Sequence, residues 1–245
     1  MWFHGGAWMV GDVQVHDSLA RFLANRARCA VISVDYRLAP EHRYPAAIDD
    51  AWAATLWAFK SFDRLAVGGD SAGGNLAAAV AHRARNHGLV LQLQLLVYPV
   101  LDYRPDSAEY DDYRKQYQGF AGKSEWGREA QEGIRRIWEI YVPDVTRRHE
   151  PDASPLRSDS FGGLAPTVII TAEHDILRGE NEDYIARLVA AGVPVKILNY
   201  PGQIHGFYAM FAEISDGRDA VQRSVNALRS SLYPELVTGL RHYDG

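Results

Sequence analysis

The sequence predicts an α/β protein: a mostly parallel sheet with helices on both faces. Three observations carry this prediction. Short apolar runs alternate with helical stretches along most of the chain, the pattern of parallel strands joined by crossover helices. Gly69-Asp70-Ser71-Ala72-Gly73 stands directly behind the apolar run Leu65-Ala66-Val67-Gly68 and before an Ala-rich stretch, which reads as strand, sharp turn and helix. Asp175 and His205 each stand just past the carboxyl end of another predicted strand, as Ser71 does. In an open parallel sheet those ends gather on one edge, where ligands bind.

The elements follow in order. An apolar stub, Met1-Trp2-Phe3, leads into the glycine turn His4-Gly5-Gly6-Ala7-Trp8. A helix over about 17–28 precedes the strand Ala30-Val31-Ile32-Ser33-Val34, and Pro45 opens a second helix carrying Ala47, Ala51, Ala54 and Trp57. After the strand at Leu65, small residues from 74 to 85 form a third helix; a strand over 91–97 follows, closed by Tyr98-Pro99. Residues 101–150 break the rhythm. They are rich in Tyr, Asp, Arg and Gln, and 133–141 has an amphipathic helical spacing of Ile134, Ile137, Trp138 and Tyr141. Such an insertion reads as a lid or acyl-pocket wall, and equally as a solvated excursion with one core-packed helix. The strand Pro166-Thr167-Val168-Ile169-Ile170-Thr171, a helix over 184–191 and the strand at Val195 complete the pattern, within one domain spanning 1–245.

Composition narrows the function classes. Hydrophobic residues at 47% and charged residues at 23% are globular values. A formal net charge of −5 leaves no basic stripe for nucleic acid. No apolar run approaches the roughly 20 residues that a bilayer span requires. Cys29 is the single cysteine; it reads as a small buried hydrophobe, and a reducing, cytoplasmic location is the default. Whether copies associate into a homo-oligomer is left open.

A serine at a strand-to-helix turn can be an ordinary helix N-cap. It becomes a nucleophile when a base lies within hydrogen-bond reach and a third group orients that base. The chain order serine, acid, histidine fits the nucleophile-elbow arrangement, with Ser71 followed by Asp175 and His205. Glu173 and Glu180 are rival acids, and Asp175 leads because it stands just past the strand. His174 suggests a metal ligand, but no matching His or carboxylate spacing accompanies it, so no metal is expected. Among the other histidines, His4 is expected to hold its turn by hydrogen bonds, while His82, His87, His149 and His242 read as solvated. Preorganised N–H donors for an oxyanion are expected from Gly5 and Gly6, with Ala72 behind the nucleophile. Asp35, Arg37 and Glu41 read as an ion-paired brace behind that turn. Trp8 and Phe207 are candidates for substrate contact, against the plainer reading of core packing.

His4-Gly5-Gly6, Asp35-Tyr36-Arg37-Leu38-Ala39-Pro40-Glu41-His42 and Gly69-Asp70-Ser71-Ala72-Gly73, in this order, resemble the hormone-sensitive-lipase-like esterases (bacterial family IV) of the α/β-hydrolase fold. Asp152-Ala153-Ser154-Pro155-Leu156, Glu173-His174-Asp175-Ile176-Leu177-Arg178 and His205-Gly206-Phe207 extend the resemblance through nearly the whole chain, most weakly over about 103–150. The resemblance implies Ser71 as nucleophile, His205 as base, Asp175 as its orienting acid, and an oxyanion hole of Gly5, Gly6 and Ala72. It also implies carboxylesterase activity on short acyl esters, with no metal or organic cofactor. Members of that family carry a further portion before the His-Gly-Gly motif. Here three residues precede it, so an N-terminally truncated fold with a reduced lid is expected.

Two alternatives stand beside a small-molecule ester as the partner. The same machinery could act on an amide, a carbamate or an acetylated substrate. A fragment of this fold could also bind a ligand without turnover, although binding relatives of the fold lack the histidine that is present here at 205. A dinucleotide-binding enzyme is discarded, because the turn at Ser71 lacks the G-x-G-x-x-G spacing.

Overall fold

The computed structural model describes residues 1–104 and 125–235, with the backbone alone at 125–130. Among the described residues the strands are β1 (Trp2–Phe3), β2 (Ser33–Val34), β3 (Ala66–Asp70), β4 (Leu93–Val97), β5 (Thr167–His174) and β6 (Val195–Ile204). They pair throughout in parallel, in the order β2-β1-β3-β4-β5-β6. The helices are α1 (Asp17–Ala27), α2 (Ala46–Ser61), α3 (Ala72–Asn86), α4 (Glu125–Tyr141), α5 (Arg178–Ala190) and α6 (Ser215–Leu232).

Both faces of the sheet are covered, so its central strands are near-continuous apolar runs. Leu93, Leu95 and Val97 of β4 point to one face, where they meet Val168 and Ile170 of β5, Leu23 of α1 and Val221 and Val225 of α6. Leu96 and Ile169 point to the other face, with Ile48 of α2, Leu76 of α3 and Leu188 of α5. Each such aliphatic side chain, fully buried, stabilises the fold by about 1.5–3 kcal/mol. Trp138 and Tyr141 close the second face at the end of α4. The expected lid or acyl-pocket insertion therefore divides: 105–124 lie outside the described residues, while the last turns of α4 are packed into the core. His242 also lies outside the described residues.

Three expectations are corrected. The strand over 30–34 shrinks to Ser33–Val34, because its ladder runs only against the two residues of β1. His82 is not solvated: α3 is buried almost all round, leaving His82 3% exposed, with its Nε2 3.2 Å from the Tyr184 hydroxyl. Burial, reinforced by the charges of Arg85 and Arg187, pushes its pKa down to about 3. Arg37 does not pair with Asp35 or Glu41. It grips Asp50 of α2 through Nε and a terminal nitrogen, at 2.8 and 2.7 Å.

The helix α3 enters against β1 at contact distance. A Cβ at Gly73 would collide with the carbonyl oxygen of Phe3, and one at Gly69 with the carbonyl of Gly73. Gly73→Ala is expected to lower stability by about 3 kcal/mol or to prevent folding. Gly133→Ala, in open space within α4, should instead raise it by about 0.5–1 kcal/mol. Urea unfolding of both variants checks the contrast.

A second expected outcome concerns His82. Its folded pKa is depressed, so the unfolded chain binds the extra proton as pH falls below 6.5. Stability is then lost on acidification, by roughly 3 kcal/mol between pH 6.5 and 4. His82→Phe should remove that part of the slope, and an unchanged slope in urea titrations would refute the assignment.

Candidate active site

Ser71 joins the end of β3 to the start of α3 with φ 54° and ψ −117°. A non-glycine residue in this region costs about 1–3 kcal/mol and persists only where its surroundings over-determine it. They do so here. The Ser71 N–H donates to Val97 O at 2.9 Å, and its carbonyl accepts from Asn75 N–H at 3.0 Å and Val100 N–H at 3.2 Å. The turn at Ser71 is thus stitched to the end of β4 and to its own helix.

The structure brings the three expected residues into one line. His205 Nε2 lies 2.9 Å from Ser71 Oγ. On the far side of the ring, Nδ1 lies 2.8 Å from Asp175 Oδ2. Asp175 follows β5, its other oxygen accepts the Leu177 N–H at 2.9 Å, and its side chain is 2% exposed. His205 follows β6 and rests against the Tyr98 ring, with centroids 4.6 Å apart. Burial disfavours the imidazolium, but the Asp175 carboxylate, its hydrogen bond and the more remote charge of Asp70 outweigh that, so the pKa of His205 is raised above 6.5. The rival acids point elsewhere: Glu173 accepts the Gly202 N–H at 2.7 Å, and Glu180, buried, accepts that of Leu101 at 2.7 Å.

The glycine turn lies beside Ser71. His4 is buried and stacks on Tyr36 at 4.3 Å, its Nδ1 is 2.7 Å from Gly5 O, and the Tyr36 hydroxyl donates to His4 O at 2.6 Å. Burial holds the pKa of His4 below the usual value, against its bond to Gly5 O, so the ring is a neutral scaffold. Gly6 has φ 122°, and a Cβ there would strike Val10 O. Ala7 and Trp8 continue with φ 55° and 58°, and Ala39 N–H donates to Trp8 O at 2.8 Å.

The expected N–H donors are corrected at one position. Gly5 N–H is already engaged, donating to Asp70 Oδ1 at 3.0 Å. No acceptor stands against the N–H groups of Gly6, Ala7 and, at the opening of α3, Ala72 among the described residues. Sequence reading missed Ala7 because the glycine run ends at Gly6; the only cue to it was its place in the same turn.

Trp8 and Phe207, expected to contact substrate, are core residues. Trp8 is 1% exposed and stacks on Tyr141 at 4.1 Å. Phe207 is 0% exposed, edge-on to Tyr98 and tilted against Tyr200. Their rings are used up in aromatic packing.

A family model described as alpha/beta hydrolase fold matches residues 1–209. An arylesterase of Saccharolobus solfataricus is 36% identical over 214 residues, covering 84% of this chain and 67% of that protein. The carboxylesterase NlhH of Mycobacterium tuberculosis is 36% identical over 244 residues, covering 95% of this chain and 73% of that protein. The solved structure of a hyperthermophilic esterase from Pyrobaculum calidifontis superposes with a TM-score of 0.83 at 35% identity, covering 94% of this chain and 75% of that one. With the parallel sheet, the strained serine turn and the Ser71–His205–Asp175 line in place, the chain belongs to the α/β-hydrolase family, in its hormone-sensitive-lipase-like carboxylesterase branch.

Proposed function

We propose that the chain hydrolyses short-chain carboxylic esters through an acyl-enzyme on Ser71. The observation that carries this reading is the unbroken hydrogen-bond line from Ser71 Oγ through both nitrogens of His205 to Asp175. An unassisted serine hydroxyl is a poor nucleophile, and this line is what activates one. Ser71 Oγ attacks the ester carbonyl while His205 Nε2 takes its proton. Asp175 fixes the ring with Nδ1–H toward itself, and so leaves Nε2 free to accept. The new oxyanion is held by the N–H groups of Gly6, Ala7 and Ala72. Collapse expels the alcohol, which receives the proton back from His205. A water activated by the same nitrogen then releases the acid. The esterase and carboxylesterase relatives support an ester as substrate. No helix of the described residues is long and apolar enough to cross a membrane.

Ser71→Ala is expected to lower kcat/KM for p-nitrophenyl acetate by more than about 10³-fold, and Asp175→Asn by several orders of magnitude through misorientation of His205. Unchanged turnover in Ser71→Ala would dismiss the mechanism.

The pH profile has a definite sign. His205 acts as a base only when neutral, and its pKa is raised, so kcat/KM should fall on acidification with a midpoint above 6.5. Asp175→Asn removes the main charge that raises it and should move the midpoint down. A wild-type limb centred near pH 5 would contradict the assignment of the base.

A further inference from the structure

The proton relay does not account for the carboxylate that precedes the nucleophile. Asp70 ends β3 and is buried, at 8% exposure. Its Oδ1 accepts the Gly5 N–H at 3.0 Å, joining residues 65 apart in the chain. Oδ2 lies against the same glycine so closely that a Cβ at position 5 would collide with it. His16, at the entrance to α1, brings Nε2 to 3.5 Å from Oδ1, with its side chain 12% exposed. A buried carboxylate is costly unless it is paired and hydrogen-bonded, and this one has both partners. The Gly5 N–H is thereby fixed, and the two that follow, on Gly6 and Ala7, have no acceptor among the described residues.

We propose that Asp70 is the positioning residue of the oxyanion turn: held by His16 as counter-ion, it clamps Gly5 so that the Gly6 and Ala7 N–H groups face the carbonyl attacked by Ser71. This rests on the ester-hydrolase reading above. The clamp and the nucleophile are adjacent in sequence, so one rigid turn sets the spacing between attacking oxygen and oxyanion donors. Displacement of such groups by about 1 Å can cost 10²-fold in rate. Asp70 also enters the charge balance of the base. Among the described residues the groups around His205 include Asp175, Asp70, Ser71 and Tyr98, and of these the two carboxylates raise its pKa. Around Asp70 stand His16, His4 and the tyrosines 36, 98 and 208 among the described residues, and Asp12 acts in turn on His16.

The test compares the wild type with Asp70→Ala and Asp70→Asn. The readouts are kcat and KM for p-nitrophenyl acetate and the inhibition constant of an aryl trifluoromethyl ketone, whose serine adduct carries an oxyanion. Asp70→Ala should lower kcat about 10- to 100-fold and weaken the ketone by the same factor, with KM within about threefold of the wild type. Asp70→Asn keeps an acceptor oxygen for Gly5 and should recover most of the lost kcat and ketone affinity. Its acidic limb should lie at lower pH than that of the wild type, since one negative charge near His205 is gone. Wild-type kcat and ketone affinity in Asp70→Ala, or an Asn variant as impaired as the Ala variant, would overturn the clamp. Should Asp70→Ala fail to fold, His16→Phe decides, because it keeps a ring but removes the counter-ion. Parallel losses in kcat and ketone affinity support the proposal, and neither changing refutes it. Wild-type turnover separates the two readings: if the wild type neither hydrolyses the ester nor is labelled at Ser71 by a fluorophosphonate, the hydrolase reading itself falls.

Discussion

The closeness of two backbones governs this site. The chain leaving β1 and the chain turning at Ser71 touch with no room for a single methyl group at Gly69 or Gly73. That contact fixes the glycine turn relative to the serine before any side chain takes part. It also explains why β1 matters beyond its length: Trp2 and Phe3 pair with Gly68 and Gly69, in the register that brings His4 and Gly5 to the turn at Ser71. The helix behind Ser71 is built of small residues for the same reason. Asn75 anchors it further, donating from Nδ2 to Val100 O and Ala153 O at 3.0 and 2.8 Å. The result is a rigid platform, and preorganisation of this kind lets N–H dipoles stabilise developing charge without reorganising at the moment of reaction.

On that platform the electrostatics are arranged around one ring. His205 receives its orientation from a nearly inaccessible carboxylate and presents its other nitrogen to Ser71. Asp175 is itself held by the Leu177 N–H, so the direction of the relay is set by backbone geometry at the end of β5. His4, by contrast, is kept neutral by burial and serves as a wedge between Tyr36 and the glycine turn. The two histidines thus differ in their surroundings: His205 is hydrogen-bonded to a carboxylate, and His4 to a backbone carbonyl.

Much of this was legible in the sequence, for physical reasons. A parallel sheet buried on both faces leaves uninterrupted apolar runs, and strand ends carry the reactive residues, so Ser71, Asp175 and His205 could be named from their positions alone. What was not legible depends on tertiary contacts. Gly5 looks like an N–H donor for ligand until Asp70 is seen to occupy it. Arg37 has two acidic neighbours in sequence, but its partner is Asp50, one helix away. His82 sits among Arg and Asn residues that suggest solvent, yet the small residues of α3 draw the helix so deep that His82 is buried too. The helix α6 was overlooked because its apolar stripe, Ala220, Val221, Val225, Leu228 and Leu232, is diluted by Ser, Asp, Arg and Gln on its outer face. Trp8 and Phe207 sit beside motif residues, and proximity in sequence said nothing about which way their rings turn.

His205 follows β6, an edge strand whose ladder among the described residues runs to β5 alone. Edge elements open locally at lower free energy than the interior of a sheet. Fraying at the carboxyl end of β6 would withdraw His205 from Ser71 while β3, β4 and their helices stayed folded. Thermal inactivation should accordingly run ahead of global melting, and cross-linking the outermost strand to its neighbour would lengthen working lifetime more than it raised the melting temperature.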